Sequence, residues 1–273
     1  MSSDPGHANS VSGVWSDSLA ELVTYRYVGC QSIMHDRHHA EGWTPMRSHL
    51  RAAGSILAAP LAISMLDTAG INIDRLYHLG LTQIDVQLYD PGLDVSRLHV
   101  IGCVVREART QVFTECRFED ADRPGRVIGA GAANWAIVGV TPDGFEYTDP
   151  GPGHDEGRDV PTMVSAFELE PLPAGGFVLP RLSPRVGTDT LHHGPILVGL
   201  EHSALQAASA VGGEPPVLQS MSTRIVRAGR RPPFLWGAQV LATAGQVIGC
   251  RAQMSDGSGD AIAVAHLSYG RRV

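Results

Sequence analysis

Two acidic residues stand out because the segments around them are almost entirely apolar. Asp67 follows the run from Leu61 to Leu66, and Glu201 follows the run from Ile196 to Leu200. A carboxylate buried among apolar side chains is costly unless it is paired or takes part in chemistry. A positioned carboxylate can act as a nucleophile or as a general base for water. Asp67 and Glu201 are therefore the candidate catalytic acids.

Each acid also follows a segment that is typical of a helix start. Glu201 lies seven residues after Gly194 in His192-His193-Gly194-Pro195, and Asp67 lies seven residues after Pro60 in Ala58-Ala59-Pro60. Proline is favoured in the first turn of a helix, where backbone N–H groups have no partner within the helix. Such amides can stabilise the oxyanion that forms when an acyl carbonyl is attacked.

The recurrence of this pattern indicates an internal repeat. Asp67 and Glu201 are 134 residues apart, and an offset of 135 aligns Gly102 with Gly237 and Gln111 with Gln246. The sequence predicts two divergent copies of one unit, each a helix followed by antiparallel strands, and hence an α+β fold. The predicted helices cover about 55–70 and 195–211. The predicted strands include Glu21–Val28, 81–89, 98–106, 110–118, 126–140, 217–226, 234–242, 247–254 and 261–269.

The expected domain organisation follows from composition. Residues 1–13 are polar and small and predict a disordered tail. Residues 14–141 form the first repeat, and residues 163–273 form the second. The segment 142–162 is rich in Gly, Pro and Asp and predicts a linker between them.

Charge and cysteine content exclude several classes of function. The net charge of −7 and the pI near 5.9 argue against nucleic acid as the main partner. Four scattered cysteines are typical of reduced thiols in a cytoplasmic protein. We expect no signal peptide and no membrane partner, because no apolar run reaches membrane-spanning length. The cluster His35-Asp36-Arg37-His38-His39 has no further ligands at suitable spacing, so we expect a solvated loop and no metal.

The segment around Glu201 resembles a short motif of the acyl-CoA thioesterase superfamily. Phenylacetate-degradation-type thioesterases carry a His-Gly-Gly turn followed by an acid on the central helix. In the second repeat the His of that motif falls on His192, its second Gly on Gly194 and its acid on Glu201, while His193 replaces the first Gly. In the first repeat the acid falls on Asp67, followed by Thr68, and Ala58, Ala59 and Pro60 replace the His-Gly-Gly turn.

This resemblance implies a double-hotdog protein. Such a protein has two long central helices, each wrapped by a curved antiparallel β-sheet. The implied activity is hydrolysis of an acyl-CoA or related thioester at the interface of the two repeats, in fatty acid metabolism. No cofactor is implied beyond the coenzyme A carried by the substrate. A homodimer or a higher homo-oligomer is possible, and neither the acyl chain nor the choice between CoA and a carrier protein can be read from the sequence.

Distance along the helix suggests how the groups would pair. Gly194 and Glu201 lie about 10 Å apart along one helix, too far to act on one carbonyl. In hotdog dimers the central helices run antiparallel, so each turn faces the acid of the other helix. Transferred here, the amides of His193 and Gly194 would pair with Asp67, beside His192. Those of Ala59 and Pro60 would pair with Glu201.

Proline has no N–H, so this pairing predicts an asymmetric protein. The site with Asp67 would be competent, and the site with Glu201 would be impaired or would serve to bind substrate. Thr68, Ala59 and Pro60 are then candidate substrate-binding residues. Arg224 and Arg227 are candidates for the phosphates of CoA, because Arg suits bidentate phosphate contacts.

Several alternatives remain at this stage. Asp67 could reach solvent or an Arg, Glu201 and His202 could lie on an exposed helix face, and His192 and His193 could be structural. The arginines could form a solvated strand end. The chain could instead be a non-catalytic acyl- or CoA-binding protein. An enoyl-thioester hydratase or dehydratase is a further alternative, although the sequence lacks a convincing Asp-x4-His pattern.

Overall fold

The computed structural model describes residues 21–74, 76–141, 160–212 and 216–270. The predicted tail 1–13 and residues 142–159 of the predicted linker lie outside this part of the chain.

The described residues form four α-helices and fourteen strands. The helices are α1 (Val23–Val28), α2 (Ala58–Asp74), α3 (Met163–Ala166) and α4 (His193–Gly212), and Ser48–Leu50 form a 3-10 turn. The strands of the first half are β1 (Gln31–Met34), β2 (His39–Pro45), β3 (Arg51–Ala52), β4 (Ser55–Ile56), β5 (Tyr77–Leu88), β6 (Arg97–Glu107), β7 (Gln111–Asp120) and β8 (Val127–Val140). Those of the second half are β9 (Glu170–Pro171), β10 (Phe177–Leu179), β11 (Val217–Ile225), β12 (Phe234–Ala244), β13 (Val247–Ser255) and β14 (Ala261–Gly270).

Twelve of these strands form one antiparallel sheet, in the order β1-β2-β6-β7-β8-β5-β11-β14-β13-β12-β10-β9. The α+β class is therefore confirmed. A separate sheet around each helix was expected from the sequence, but the structure has one sheet with two halves. The halves join where β5 pairs with β11, from Gln83↔Arg224 to Gln87↔Ser220. This pairing covers two strand edges that would otherwise expose unpaired backbone groups. The strands β3 and β4 form a separate hairpin before α2.

Each long helix packs on its own half of the sheet. The helix α2 lies against β2, β5 and β6, the helix α4 lies against β12 and β13, and the two helices contact each other. Every residue of α2 from Ala58 to Ile73 is buried, as expected for a helix that is apolar on nearly all sides. Close approach to the sheet depends on Gly42, where an added Cβ would lie 2.2 Å from the Thr68 hydroxyl.

The strand predicted over Glu21–Val28 is wrong, because Val23–Val28 form the helix α1. Its Val, Thr and Tyr residues favour strands locally. Tertiary packing overrides this preference, since α1 contacts both α2 and α4 and buries Val23, Thr24, Tyr27 and Val28. Gly29 ends the helix in the left-handed region, at φ 72°, which glycine adopts without strain.

Candidate active site

The N-terminus of α2 meets the middle of α4 at the carboxylate of Glu201. The Ala58 amide donates to Oε1 at 2.6 Å, and the Ala59 amide donates to Oε2 at 2.7 Å. Both amides belong to the first turn of α2, where intrahelical acceptors are missing. We call Ala58, Ala59 and Glu201 the Glu201 corner. It joins residues more than 140 positions apart in the chain.

The Glu201 corner differs from the pairing expected from the sequence. The expected donors were Ala59 and Pro60, and Pro60 was expected to remove one of them. In the structure α2 begins at Ala58, so Pro60 occupies its third position and both donors precede it. The lack of an N–H at Pro60 therefore takes no donor away from Glu201.

Burial controls the charge of Glu201. Its exposed fraction is 0%, so the alternative of an exposed position is wrong. Burial raises the pKa of this carboxyl to about 7, while the hydrogen bonds from Ala59 and Ala58 oppose that rise. The hydroxyl of Tyr269, a residue of β14, donates to the backbone oxygen of Glu201 at 3.4 Å. A carboxyl that titrates near neutral pH is well suited to transfer protons.

A cavity of about 1040 Å³ is lined by the chain neighbours of two residues of the Glu201 corner. Its wall includes Leu57, the residue before Ala58, and His202, the residue after Glu201. Met163, Phe177, Leu205 and Gln206 also line it. The wall is largely apolar with a few polar groups, which is typical of a small-molecule site. The residues of the Glu201 corner do not line the cavity themselves, but Ala58 and Glu201 are each adjacent in the chain to a residue that does.

The second candidate acid, Asp67, lies in a compact polar cluster. Its side chain is buried, with 4% exposed, and the Ser32 hydroxyl donates to its Oδ2 at 2.7 Å. The hydroxyls of Ser32 and Thr68 are 3.1 Å apart, and Cys30 Sγ lies 3.7 Å from the Thr68 hydroxyl. Thr68 is fully buried beneath Gly42, so its hydroxyl serves this cluster.

The helix α1 covers the turn that contains His192 and His193. The Thr24 hydroxyl lies 2.9 Å from Nδ1 of His192, and the Tyr25 ring stands edge-on to both imidazoles at 5.5 and 5.8 Å. At Gly194 an added Cβ would lie 2.3 Å from the Thr24 hydroxyl. The turn that was predicted to supply catalytic amides is thus packed against a protein helix.

Burial keeps both histidines of this turn neutral. It lowers the pKa of His192 to about 4, and it lowers the pKa of His193 well below its usual range, where His192 adds to the effect. Burial, followed by the charge of Asp67, raises the pKa of Tyr25. Tyr25 is therefore a common neighbour of both histidines and Asp67. The pairing of Asp67 with the amides of His193 and Gly194 stays a prediction.

Sequence reasoning did not identify Thr24, Tyr25 or Ser32. The first two lie in the segment that was assigned to a strand, and that assignment gives no indication of a contact with α4. Ser32 is an ordinary polar residue near a strand start, and its sequence context carries no signal for its contact with Asp67.

The arginines proposed for phosphate binding are paired with carboxylates. Arg224 lies 3.4 Å from Asp85. Arg227 lies 2.9 Å from Asp256 and 2.8 Å from Asp260. A phosphate would have to compete with these ion pairs. The role predicted for the two arginines stays a prediction.

Two expectations about metals and membranes can be compared with the structure. In the segment 35–39, the Asp36 carboxylate accepts hydrogen bonds from the amides of His38 and His39 in an exposed loop. Within the described ranges, no group of His, Cys, Asp or Glu side chains is placed to hold a metal ion. Of the helices in those ranges, none combines the length and apolar character needed to cross a membrane.

Comparison with known proteins gives a fold but no sequence family. No protein-family model and no curated protein matches the sequence. Among solved structures, an acyl-CoA thioesterase II TesB2 from Mycobacterium marinum is similar with a TM-score of 0.61 and 13% identity, over 93% of this chain and 98% of that one. A tesB protein from Mycobacterium avium subs paratuberculosis has a TM-score of 0.60 and 14% identity, over 94% and 99%.

A third similar structure is described by its fold. It is a conserved protein of unknown function with a hot dog fold from Alicyclobacillus acidocaldarius, with a TM-score of 0.55 and 12% identity, over 92% of this chain and 98% of that one. The chain thus shares the overall α+β fold of these structures along nearly its whole length. The resemblance stated from the sequence is confirmed at the level of fold.

Proposed function

We propose that the chain hydrolyses acyl thioesters, and that it is a tandem of two hotdog units. One unit comprises α2 with the first half of the sheet, and the other comprises α4 with the second half. The division of the twelve strands into two sets of six, each with one long helix, supports this architecture. The name of the similar structure from Mycobacterium marinum, an acyl-CoA thioesterase II, supports the activity.

The observation that carries the proposal is the pairing of two helix N-terminal amides with a buried carboxyl in the Glu201 corner. Two parallel amides at a helix N-terminus and a carboxyl with a pKa near 7 are the two parts that thioester hydrolysis requires. Preorganised backbone donors of this kind can contribute about 3 kcal/mol each to the stabilisation of an oxyanion. A general base contributes about 10²–10⁴-fold to the rate.

In the resting protein the Glu201 carboxylate occupies the two donors. We infer that the thioester carbonyl enters from the cavity and takes the amides of Ala58 and Ala59 in its place. The displaced carboxylate then accepts a proton from water as the water oxygen bonds to the carbonyl carbon. The carbon–sulfur bond breaks, and Glu201 returns the proton to the departing thiolate.

This proposal reverses the assignment expected from the sequence, in which the Asp67 site was the competent one. Two observations favour the Glu201 corner: Leu57 and His202, which adjoin it in the chain, line the cavity, and its two amide donors are both present. The turn of His192, His193 and Gly194 is instead packed beneath α1. We propose that the Asp67 site occupies the equivalent position in the other repeat and stabilises the fold without taking part in hydrolysis.

The test is release of free thiol from a panel of acyl-CoAs of increasing chain length. We expect Glu201→Gln to lose at least about 100-fold in kcat, while Asp67→Asn retains activity. Glu170→Gln is the matched control, since Glu170 is exposed on β9. Circular dichroism would verify that each variant is folded. Loss of activity in Asp67→Asn alone would restore the original assignment.

A non-catalytic acyl- or CoA-binding protein is the second candidate. The full burial of Glu201 and the bonding of both its oxygens favour this reading, because they are also what a helix cap requires. A binding protein would bind acyl-CoA in equilibrium dialysis without releasing thiol. In that case Glu201→Gln would change stability and leave no activity to lose.

A further inference from the structure

His202 presents an unused hydrogen-bond acceptor to the cavity. Its Nδ1 lies 3.0 Å from the carbonyl oxygen of Val198. Because a carbonyl can only accept, Nδ1 carries the proton, and Nε2 of the neutral ring keeps its lone pair. Burial lowers the pKa of His202, which favours this neutral form. The ring of Phe177 stands edge-on at 6.5 Å and restricts the imidazole.

Gln206 presents a hydrogen-bond donor one helical turn further along α4. Its Oε1 accepts from the Gly176 amide at 3.1 Å, so its NH₂ group remains as a donor. Both His202 and Gln206 line the cavity. Within the described ranges, these two side chains hydrogen-bond to the protein only through the contacts with Val198 and Gly176, and His202 is partly buried while Gln206 is exposed.

This pair matches the two polar atoms of a secondary amide. Side chains four residues apart on a helix have Cβ atoms about 5–6 Å apart, and a secondary amide carries its N–H and its C=O on opposite edges. The N–H would donate to His202 Nε2, and the C=O would accept from Gln206. An apolar chain that covered His202 Nε2 would leave this acceptor buried without a partner, which is costly.

The position of the pair relates the amide to the proposed reaction. His202 follows Glu201 directly, so their Cα atoms are about 3.8 Å apart, and the cavity wall reaches Leu57 beside the donor amides. A thiol arm whose first amide lies two methylenes from the sulfur places an N–H close to the thioester. Pantetheine-type arms have this arrangement, both in coenzyme A and on carrier proteins.

We propose that His202 and Gln206 are specificity-determining residues that bind the secondary amide of a pantetheine-type thiol arm. The position of that amide next to the thioester rests on the proposed hydrolysis at the Glu201 corner.

Two thioesters with the same acyl group test this directly: one of N-acetylcysteamine, and one of a pentanethiol that has no amide. We expect His202→Leu to raise KM about tenfold for the first and to leave it unchanged for the second, as loss of one hydrogen bond predicts. His202→Gln places an oxygen near the position of Nε2 and should restore part of the affinity. The control Ser209→Ala alters the same cavity without removing either group.

Equal changes of KM on the two thioesters would overturn the proposal, as would a fall in kcat with KM unchanged. Acyl-CoA and the matching acyl carrier protein separate the two sources of the amide. His202→Leu should raise the KM for each of these two substrates that the wild-type protein hydrolyses. An unchanged KM for such a substrate would contradict the proposal.

A binding measurement separates this inference from the proposed function. Calorimetry would compare an S-alkyl N-acetylcysteamine thioether with the matched dialkyl thioether, neither of which can be hydrolysed. Tighter binding of the amide probe, abolished in His202→Leu, would support the inference even if no thioester were cleaved. Equal binding of the two probes would overturn it even if thioesters were cleaved.

Discussion

Replacement of Glu201 by Gln should change how stability depends on pH. Burial raises the pKa of this carboxyl from 4.5 to about 7. Between these two values the folded protein holds a proton that the unfolded chain has released. The free energy of unfolding contributed by Glu201 must therefore fall as pH rises through this window.

The size of the effect follows from the two pKa values. One pH unit corresponds to about 1.4 kcal/mol, so the wild-type protein should lose about 3 kcal/mol relative to Glu201→Gln between pH 4 and pH 8. At pH 4 the protonated acid and the amide are close isosteres, and each offers one carbonyl oxygen to Ala58 or Ala59. In Glu201→Gln the other backbone N–H faces an NH₂ group that cannot accept, so this variant should be less stable than wild type at pH 4 by about 1–3 kcal/mol.

Urea unfolding at a series of pH values measures this difference. Other titrating groups are present in both proteins, so their contributions cancel when the two curves are subtracted. Parallel curves would show that the pKa of Glu201 is not raised in the folded state. If Glu201→Gln instead lost stability relative to wild type as pH rose, the amides of Ala58 and Ala59 would outweigh burial, and our reasoning would be refuted.

Two further predictions concern the turn below α1 and the Asp67 cluster. Gly194→Ala should destabilise the protein by about 1–3 kcal/mol, since the new Cβ would lie 2.3 Å from the Thr24 hydroxyl. In a thermal melt the control Gly237→Ala should match wild type, because nothing lies within 4 Å of its Cβ, and equal melting temperatures for the two variants would contradict the packing. Ser32→Ala should cost about 1.5–3 kcal/mol in urea unfolding at neutral pH, because it removes the 2.7 Å donor to Asp67. No loss there would mean that this hydrogen bond contributes little.

Secondary structure was predictable wherever the hydrophobic pattern was long and regular. The apolar run that contains Asp67 predicted the helix α2, because a helix that is buried on all sides needs no polar face. The alternating strand 81–89 was predicted within a few residues of β5, Tyr77–Leu88. The six-residue helix α1 was missed because local preference and tertiary packing disagree there.

The candidate acids were also predictable, but their surroundings were not. A lone carboxylate in an apolar run identifies Asp67 and Glu201 from the sequence alone. The contact of Ser32 with Asp67, and the acceptor and donor that His202 and Gln206 direct to the cavity, depend on where hydrogen bonds fall after folding.

The sequence by itself determined the α+β class, the two long buried helices and the two acids within them. These follow from the periodicity of apolar residues and from the cost of burying charge, both of which are local properties. Only the tertiary structure decided that Glu201 binds the amides of Ala58 and Ala59. That contact joins residues more than 140 positions apart. It depends on α2 and α4 being held together over one sheet, whose two halves join where β5 pairs with β11. No pattern within either half of the sequence predicts this contact between the two halves.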